Sequence, residues 1–247
     1  MDKPSARNDK VTQLLRSKQA QFQRGNVAAV TAFQLDHPPA VTQRQGVVET
    51  EEVAEKIVTE GIAAVVFPVP YQATLAECED LVIKNPDNIC ALFQFPGLDK
   101  NDFSRLSFDV PANEEPPALQ DIRSRLELFI VQTWPEAHGK LSKVQIIMNN
   151  ACGGQGFHAD RRTGAGVQFL VPLMPATLRV LCQGDTMESL LSDGTPPRYE
   201  RRTITEGEML CWAGDFAHAG DSMKSYNMRL HYYWDGGEPI EENTTYY

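Results

Sequence analysis

The chain has 247 residues, a formal net charge of −10, 42% hydrophobic residues and 23% charged residues. That apolar fraction suffices for a buried core and excludes extensive disorder, while the acidic balance disfavours a bulk surface built to grip nucleic-acid phosphates. The five cysteines, Cys78, Cys90, Cys152, Cys182 and Cys211, are widely spaced with no CxxC, so neither a disulfide framework nor a cysteine zinc site is indicated.

Residues 1–28 read as a polar leader, helical over about 10–23, where Leu14, Leu15 and Phe22 give at most a weak apolar stripe. No stretch there suits a signal peptide. The rest, residues 29–247, reads as a single domain, with helical support over 47–135 and a β core over 141–236. Val48, Val53, Ile57 and Val58 stand at near-helical spacing, which predicts a helix over 47–60 closed by Gly61. Residues 62–69 form the longest apolar run and predict a short buried strand, far too short to cross a bilayer. A soluble, reducing, cytoplasmic or otherwise intracellular setting is therefore expected, with no membrane partner. Thr74 is placed to cap a second helix over 75–84, stopped by Asn85-Pro86. Residues 97–117, rich in Asp, Asn, Glu and Pro, read as a long surface loop, and residues 119–134 carry the strongest helical pattern, with Ile122, Leu126, Phe129 and Ile130 on one face.

From Leu141 the texture changes. Short β-rich runs at 143–149, 166–173, 177–182, 199–204, 207–213 and 226–234 alternate with turn residues and predict a sandwich or barrel. The tail after Gly236 is polar and reads as loose.

Three of the five histidines, His158, His218 and His231, fall in this half; His37 and His138 read as loop and surface residues. His158 and Asp160 form an HxD. In an extended segment, residues two apart point to the same side, so an imidazole and a carboxylate can meet one ion. His218, at a turn with small neighbours, can supply a third ligand. Two histidines and one carboxylate on one face leave positions open for other ligands, a donor set suited to non-haem iron(II). An isolated HxD arises by chance in ordinary loops; the weight lies in the order, the spacing and the β context. Arg229 follows His218 after ten residues. Its guanidinium can grip a carboxylate through two parallel hydrogen bonds. Arg161 and Arg162 directly follow the HxD and are either solvated charges or, at the pocket rim, contacts for an acidic group of a substrate. Cys152 lies in a glycine-rich stretch read as a flexible loop at the site mouth.

This constellation, spread over residues 141–234, resembles the 2-oxoglutarate and iron(II)-dependent dioxygenases. The resemblance implies a double-stranded β-helix, a cupin-like jelly roll, with a helical N-terminal support. It implies Fe(II) on His158, Asp160 and His218, and 2-oxoglutarate with its 5-carboxylate on Arg229. O2 is then the oxidant, and ascorbate is expected to support activity in vitro. Many members have a tyrosine where this chain has Asn149, and Ser or Thr where it has His231. Both are expected as oxo-acid contacts, His231 alternatively as a packed core residue. Asp215 either orders its turn or hydrogen-bonds a ligand histidine. Asp160 argues against a halogenase, which needs that position vacant.

The expected activity is oxidation, most simply hydroxylation, of a small-molecule or peptide-like substrate coupled to conversion of 2-oxoglutarate to succinate and CO2. Oxidation of a nucleic-acid base or a protein side chain by the same chemistry is an alternative, although no basic stripe with interleaved aromatics supports nucleic acid. So is a cupin-like metal-binding or sensor module without turnover. Arg229 separates the last, because a pure metal binder has no need of a carboxylate clamp.

Overall fold

Val11 and Leu15, four residues apart, are fully buried on one face of the first helix, α1 (Ala6–Gly25). The N-terminal segment is thus docked on the body of the protein, through a stripe that includes Val11 as well as Leu15. The structure is a computed structural model, and it describes residues 6–25, 42–43, 48–93, 102–136, 138–142, 144–152, 154–155, 157–160, 166–181, 198–237 and 245–246.

After β1 (Thr42–Gln43), the helix α2 (Thr50–Glu60) buries Val53 and Ile57 at the same four-residue spacing. It ends as predicted at Gly61, whose φ of 77° is left-handed and whose N–H donates to the Ile57 carbonyl at 2.9 Å. Then come β2 (Ile62–Val66) and α3 (Tyr71–Lys84). Thr74 lies inside α3 rather than capping it. Its Oγ1 donates back to the Pro70 carbonyl at 3.1 Å, because the helix already begins at Tyr71, whose ring is in the core. Next are β3 (Ile89–Phe93) and β4 (Asp102–Asp109). The second of these lies within the stretch expected to be a surface loop. There, buried Leu106 and Phe108 alternate with buried Arg105 and Ser107, the period of a strand, and the surrounding Asp, Asn and Pro masked it. The helix α4 (Pro117–Thr133) has proline in its first turn and buries Leu119, Ile122, Leu126, Phe129 and Ile130.

The strands from residue 145 onward are β5 (Gln145–Cys152), β6 (His158–Ala159), β7 (Val167–Pro172), β8 (Ala176–Leu181), β9 (Tyr199–Ile204), β10 (Glu208–Ala213), β11 (His218–Gly220), β12 (Met223–Trp234) and β13 (Thr245–Tyr246). They divide between a seven-stranded sheet, ordered β2-β10-β7-β12-β5-β4-β3, and a six-stranded sheet, ordered β1-β9-β8-β11-β6-β13. From β5 to β12 the chain crosses repeatedly between the two, which is the winding of a double-stranded β-helix. The tail, expected to be loose, returns at Thr245 and Tyr246 to pair with Ala159 and His158.

Alternation along the strands sorts side chains to two faces. On the seven-stranded sheet, Ile146, Met148, Phe169, Met209, Met228, Leu230 and Tyr232 point outward into one cluster with the helices. Phe129 of α4 meets Phe169 edge-on at 6.2 Å, and Trp134 stacks on Trp234 at 5.2 Å. The inward face meets the other sheet. Ile62, Ala64, Leu170, Leu210 and Trp212 pack there on Ala176, Leu178, Val180 and Ile204. Beyond this apolar contact the inward positions include Arg105, Ser107, Asn149, Asn227, Arg229 and His231, with Ile147 among them. No described helix is long and apolar enough to cross a membrane.

Candidate functional site

His158 and His218 are directly opposed on adjacent antiparallel strands, β6 and β11. Opposed residues of such a pair share a face, and here the ring centroids are 4.5 Å apart. Asp160 follows His158 by two residues and returns to the same side. Its Oδ1 lies 3.7 Å from His158 Nε2 and its Oδ2 lies 3.6 Å from His218 Nε2. Both separations are long for hydrogen bonds. One ligand atom from each of the three residues lies within 4.8 Å of the others, so the group could hold one metal ion. Both histidines are buried, and the Asp160 side chain is half-buried.

The tautomer of His218 suits that use. Its Nδ1 is 3.0 Å from the Phe216 carbonyl, an acceptor, so the proton belongs on Nδ1 and the Nε2 lone pair faces Asp160 and His158. Support for this imidazole therefore comes from a main-chain carbonyl, whereas Asp215 on the same turn is exposed. The turn is itself wedged in place. A Cβ on Gly61 would lie 2.3 Å from the Phe216 ring, and the Ala213 N–H donates to the Gly61 carbonyl at 3.0 Å. The glycine that ends α2 thus also makes room for the loop that carries His218.

On β12, Asn227, Arg229 and His231 alternate with the outward Met228 and Leu230, and so face the interior. Arg229 is buried. With its amide oriented to satisfy both neighbours, Asn149 on β5 accepts from Arg229 Nη1 at 2.9 Å and donates to the Met148 carbonyl at 3.0 Å. Asn149, singled out in the sequence as an oxo-acid contact, touches the guanidinium directly. His231 shares the inward side with Arg229, and its ring stacks on Trp212, 5.6 Å between centroids and 17° between planes. Burial pushes its pKa down to about 4; Asp160 opposes the shift, while His218 and Arg229 add to it. His231 is therefore neutral at physiological pH. Trp212 also lies against His218, at 4.9 Å.

Among the described residues, buried polar atoms without a hydrogen-bond partner on this inward face include Trp212 Nε1, His231 Nε2 and Asn227 Oδ1. Buried polar groups are almost always satisfied. Two of these atoms, Trp212 Nε1 and His231 Nε2, belong to stacked rings beside the two-histidine, one-carboxylate donor set, which fits the binding of a polar ligand next to a metal ion.

Arg161 and Arg162 lie outside the described residues, as do His37 and Cys182. Cys152 belongs to the end of β5 rather than to a loop. Sequence reasoning missed Arg105, Gln155 and Asn227. The alternation in β4 could have revealed Arg105. Asn227 shares the period-two spacing of Arg229 and His231. Nothing local marks Gln155.

No family model matches this sequence, and neither does any curated protein. Solved structures do match in fold. An oxidoreductase of the 2OG-Fe(II) oxygenase family from Burkholderia pseudomallei superposes with a TM-score of 0.53 at 13% identity, covering 83% of this chain and 99% of that one. A Trichoplax adhaerens prolyl hydroxylase in complex with a peptide fragment of the hypoxia inducible factor oxygen degradation domain gives 0.57 at 11% identity, covering 76% and 89%. The epimerase SnoN, solved with Fe3+, alpha ketoglutarate and nogalamycin RO, gives 0.52 at 11% identity, covering 80% and 94%. This chain has the mainly β, jelly-roll fold of the 2-oxoglutarate and iron(II)-dependent oxygenases, and within that fold it brings His158, Asp160 and His218 together.

Proposed function

We propose that the protein is an Fe(II)- and 2-oxoglutarate-dependent oxygenase that oxidises, most simply hydroxylates, a small-molecule or peptide-like substrate. The observation that carries this reading is the convergence of His158, Asp160 and His218 on the inward face of an oxygenase fold, with buried Arg229 on the inward face of the adjoining sheet. His158, Asp160 and His218 would hold the metal, a facial donor set that leaves coordination positions free. Bound there together, iron(II) and 2-oxoglutarate supply oxidation of a C–H bond by O2 with release of succinate and CO2.

The protein's own part is recognition and orientation. Arg229 stays charged at any working pH and presents a planar fork for the far carboxylate of the oxo-acid. Asn149 fixes that fork through its 2.9 Å bond to Nη1. His231, neutral and with Nε2 uncommitted, offers one further hydrogen bond beside it. Trp212 lies against the metal side and has an N–H donor free for a ligand bound there. The peptide complex and the nogalamycin RO complex among the fold neighbours support a substrate of peptide or small-molecule type.

The test is succinate release. Pure protein with iron(II), ascorbate and labelled 2-oxoglutarate should convert the oxo-acid slowly alone and faster with a true substrate from a small-molecule and peptide panel. No iron-dependent conversion under any condition would leave a metal-binding module without turnover as the better reading.

A further inference from the structure

The two strands that present His158 and His218 are short, and the described pairing between them is the single register pair His218 with His158. One pair does little to fix how far apart, or at what angle, two strands stand. A second set of bonds spans the same gap a few residues away. The Gln155 N–H donates to the Gly220 carbonyl at 2.9 Å, and the Gly220 N–H donates to Gln155 Oε1 at 2.8 Å. Gln155 lies three residues before His158, and Gly220 two residues after His218.

Both partners are held from outside. Arg105 of β4, fully buried, donates from Nη2 to the carbonyls of Gly220, at 3.3 Å, and Asp221, at 2.9 Å. Arg179 of β8 donates from Nη2 to the Gln155 carbonyl. The Arg179 guanidinium also lies 5.5 Å from the ring centroid of Phe157, the neighbour of His158, and 5.5 Å from that of Tyr199. Arg201 closes the set, with Nε 2.7 Å from Asp221 Oδ2. The arrangement has no room to spare. A Cβ on Gly220 would sit 2.4 Å from Gln155 Oε1 and 3.3 Å from Arg105 Nε, and one on Gly154 would sit 2.8 Å from Arg179 Nη2.

We propose that Gln155, Gly220 and Arg105 form a positioning clamp that sets the separation of the two histidine-bearing segments and so tunes metal affinity. The inference rests on the metal site proposed above. None of the three residues is a candidate ligand. The reciprocal pair acts by fixing main chain on both sides of the site, and Arg105 ties one side to the larger sheet. Outer contacts that orient metal ligands typically change metal affinity by about 10–100-fold when removed. Gln155 serves as an acceptor through its side chain, so a carboxylate of the same length preserves the bond and an alkyl side chain does not.

The experiment is a titration of the full-length, metal-free protein with Co(II) alone, followed by ligand-field absorption and calorimetry, alongside thermal melting without metal. The parent should bind Co(II), and His218→Ala should not. Gln155→Leu and Gly220→Ala should each bind about 10–100-fold more weakly, with a changed cobalt spectrum. Gln155→Glu should keep the parent's affinity and spectrum. Gln155→Ser, which lacks the reach, covers the case in which the leucine variant does not fold, and it should weaken binding likewise. A purely structural role would lower the melting temperature of the metal-free variants and leave cobalt affinity and spectrum unchanged. That result, with the parent still binding, overturns the clamp and leaves the site intact. Failure of the parent to bind Co(II) overturns the site and the clamp together.

Discussion

The two faces of β12 are made from alternate residues of one strand and differ completely in environment. Met228, Leu230, Tyr232 and Trp234 point out into the cluster shared with the helices. Asn227, Arg229 and His231 point in, and His231 lies close enough to Asp160 and His218 for their charges to act on it. The outward residues pack mainly through apolar contact, with the Arg123 guanidinium 5.8 Å from the centre of the Tyr232 ring. The inward face keeps a buried guanidinium, a neutral imidazole with an uncommitted Nε2 and an amide with an uncommitted Oδ1. Burying polar groups costs stability unless they are paired. A sheet under no other demand would carry apolar residues on this side too, as Leu170 does on the adjacent β7 and Leu210 on β10 beyond it. The difference separates fold from function, and substitutions along the strand should follow it.

The largest effect is expected at the metal-ligand set that the inward face meets. His218→Ala should abolish 2-oxoglutarate turnover while the protein keeps its fold, since a three-residue metal site cannot spare a ligand; circular dichroism and succinate release measure the two halves of that statement. On β12 itself, Arg229→Ala should weaken 2-oxoglutarate by about 2–5 kcal/mol, the cost of removing one side of a buried charge-assisted pair, with iron affinity unchanged. One residue away and on the other face, Leu230→Ala should cost about 2–5 kcal/mol of folding stability and leave the 2-oxoglutarate requirement of the folded fraction as it was. Matched denaturant melts and oxo-acid titrations of this pair should give opposite outcomes; equal losses in both variants would mean that the two faces are not functionally distinct. Asn149→Ala should be milder than Arg229→Ala, about 1.5–3 kcal/mol in oxo-acid affinity for one hydrogen bond to a charged group.

The smallest expected effect concerns pH. His231 has a folded-state pKa depressed to about 4 from 6.5. Above the unfolded value both states are neutral, and the residue contributes nothing to the pH dependence. As pH falls from 6.5 toward 4, the unfolded chain takes up a proton that the folded chain refuses. Stability then declines. His231→Gln should flatten this part of the stability profile of the metal-free protein. Denaturant melts at pH 7 and pH 5 check it, and an unchanged slope would show that His231 titrates normally.

Much of this was legible in the sequence because it depends on local period and spacing. The run at 199–204 is β9 to the residue, and 166–173 brackets β7. The HxD, the distal histidine and the arginine announced themselves by order and distance along the chain. Arg229 and His231 were placed on one side by the two-residue repeat alone. What stayed hidden depends on contacts between distant residues. Gln155 meets Gly220 across 65 positions, and Arg105 meets it across 115. Neither pairing has a local signature. The strand β4 was hidden for a different reason: its alternation is short and sits among Asp, Asn and Pro, which ordinarily mark loops. Thr74 sits inside α3 and not at its cap because a threonine inside a helix can bond back to a carbonyl four residues earlier, and sequence does not distinguish the two uses.

The most direct test of the proposed site is an anaerobic titration of the metal-free protein, first with Fe(II) and then with 2-oxoglutarate, following metal and oxo-acid stoichiometry by calorimetry and absorption. The expected result is one Fe(II) and one 2-oxoglutarate per chain in the parent. Oxo-acid binding should be weakened by about 2–5 kcal/mol in Arg229→Ala with the metal retained, and both should be lost in His218→Ala. Retention of one tightly bound Fe(II) by His218→Ala, or of parent-like 2-oxoglutarate affinity by Arg229→Ala, would contradict it.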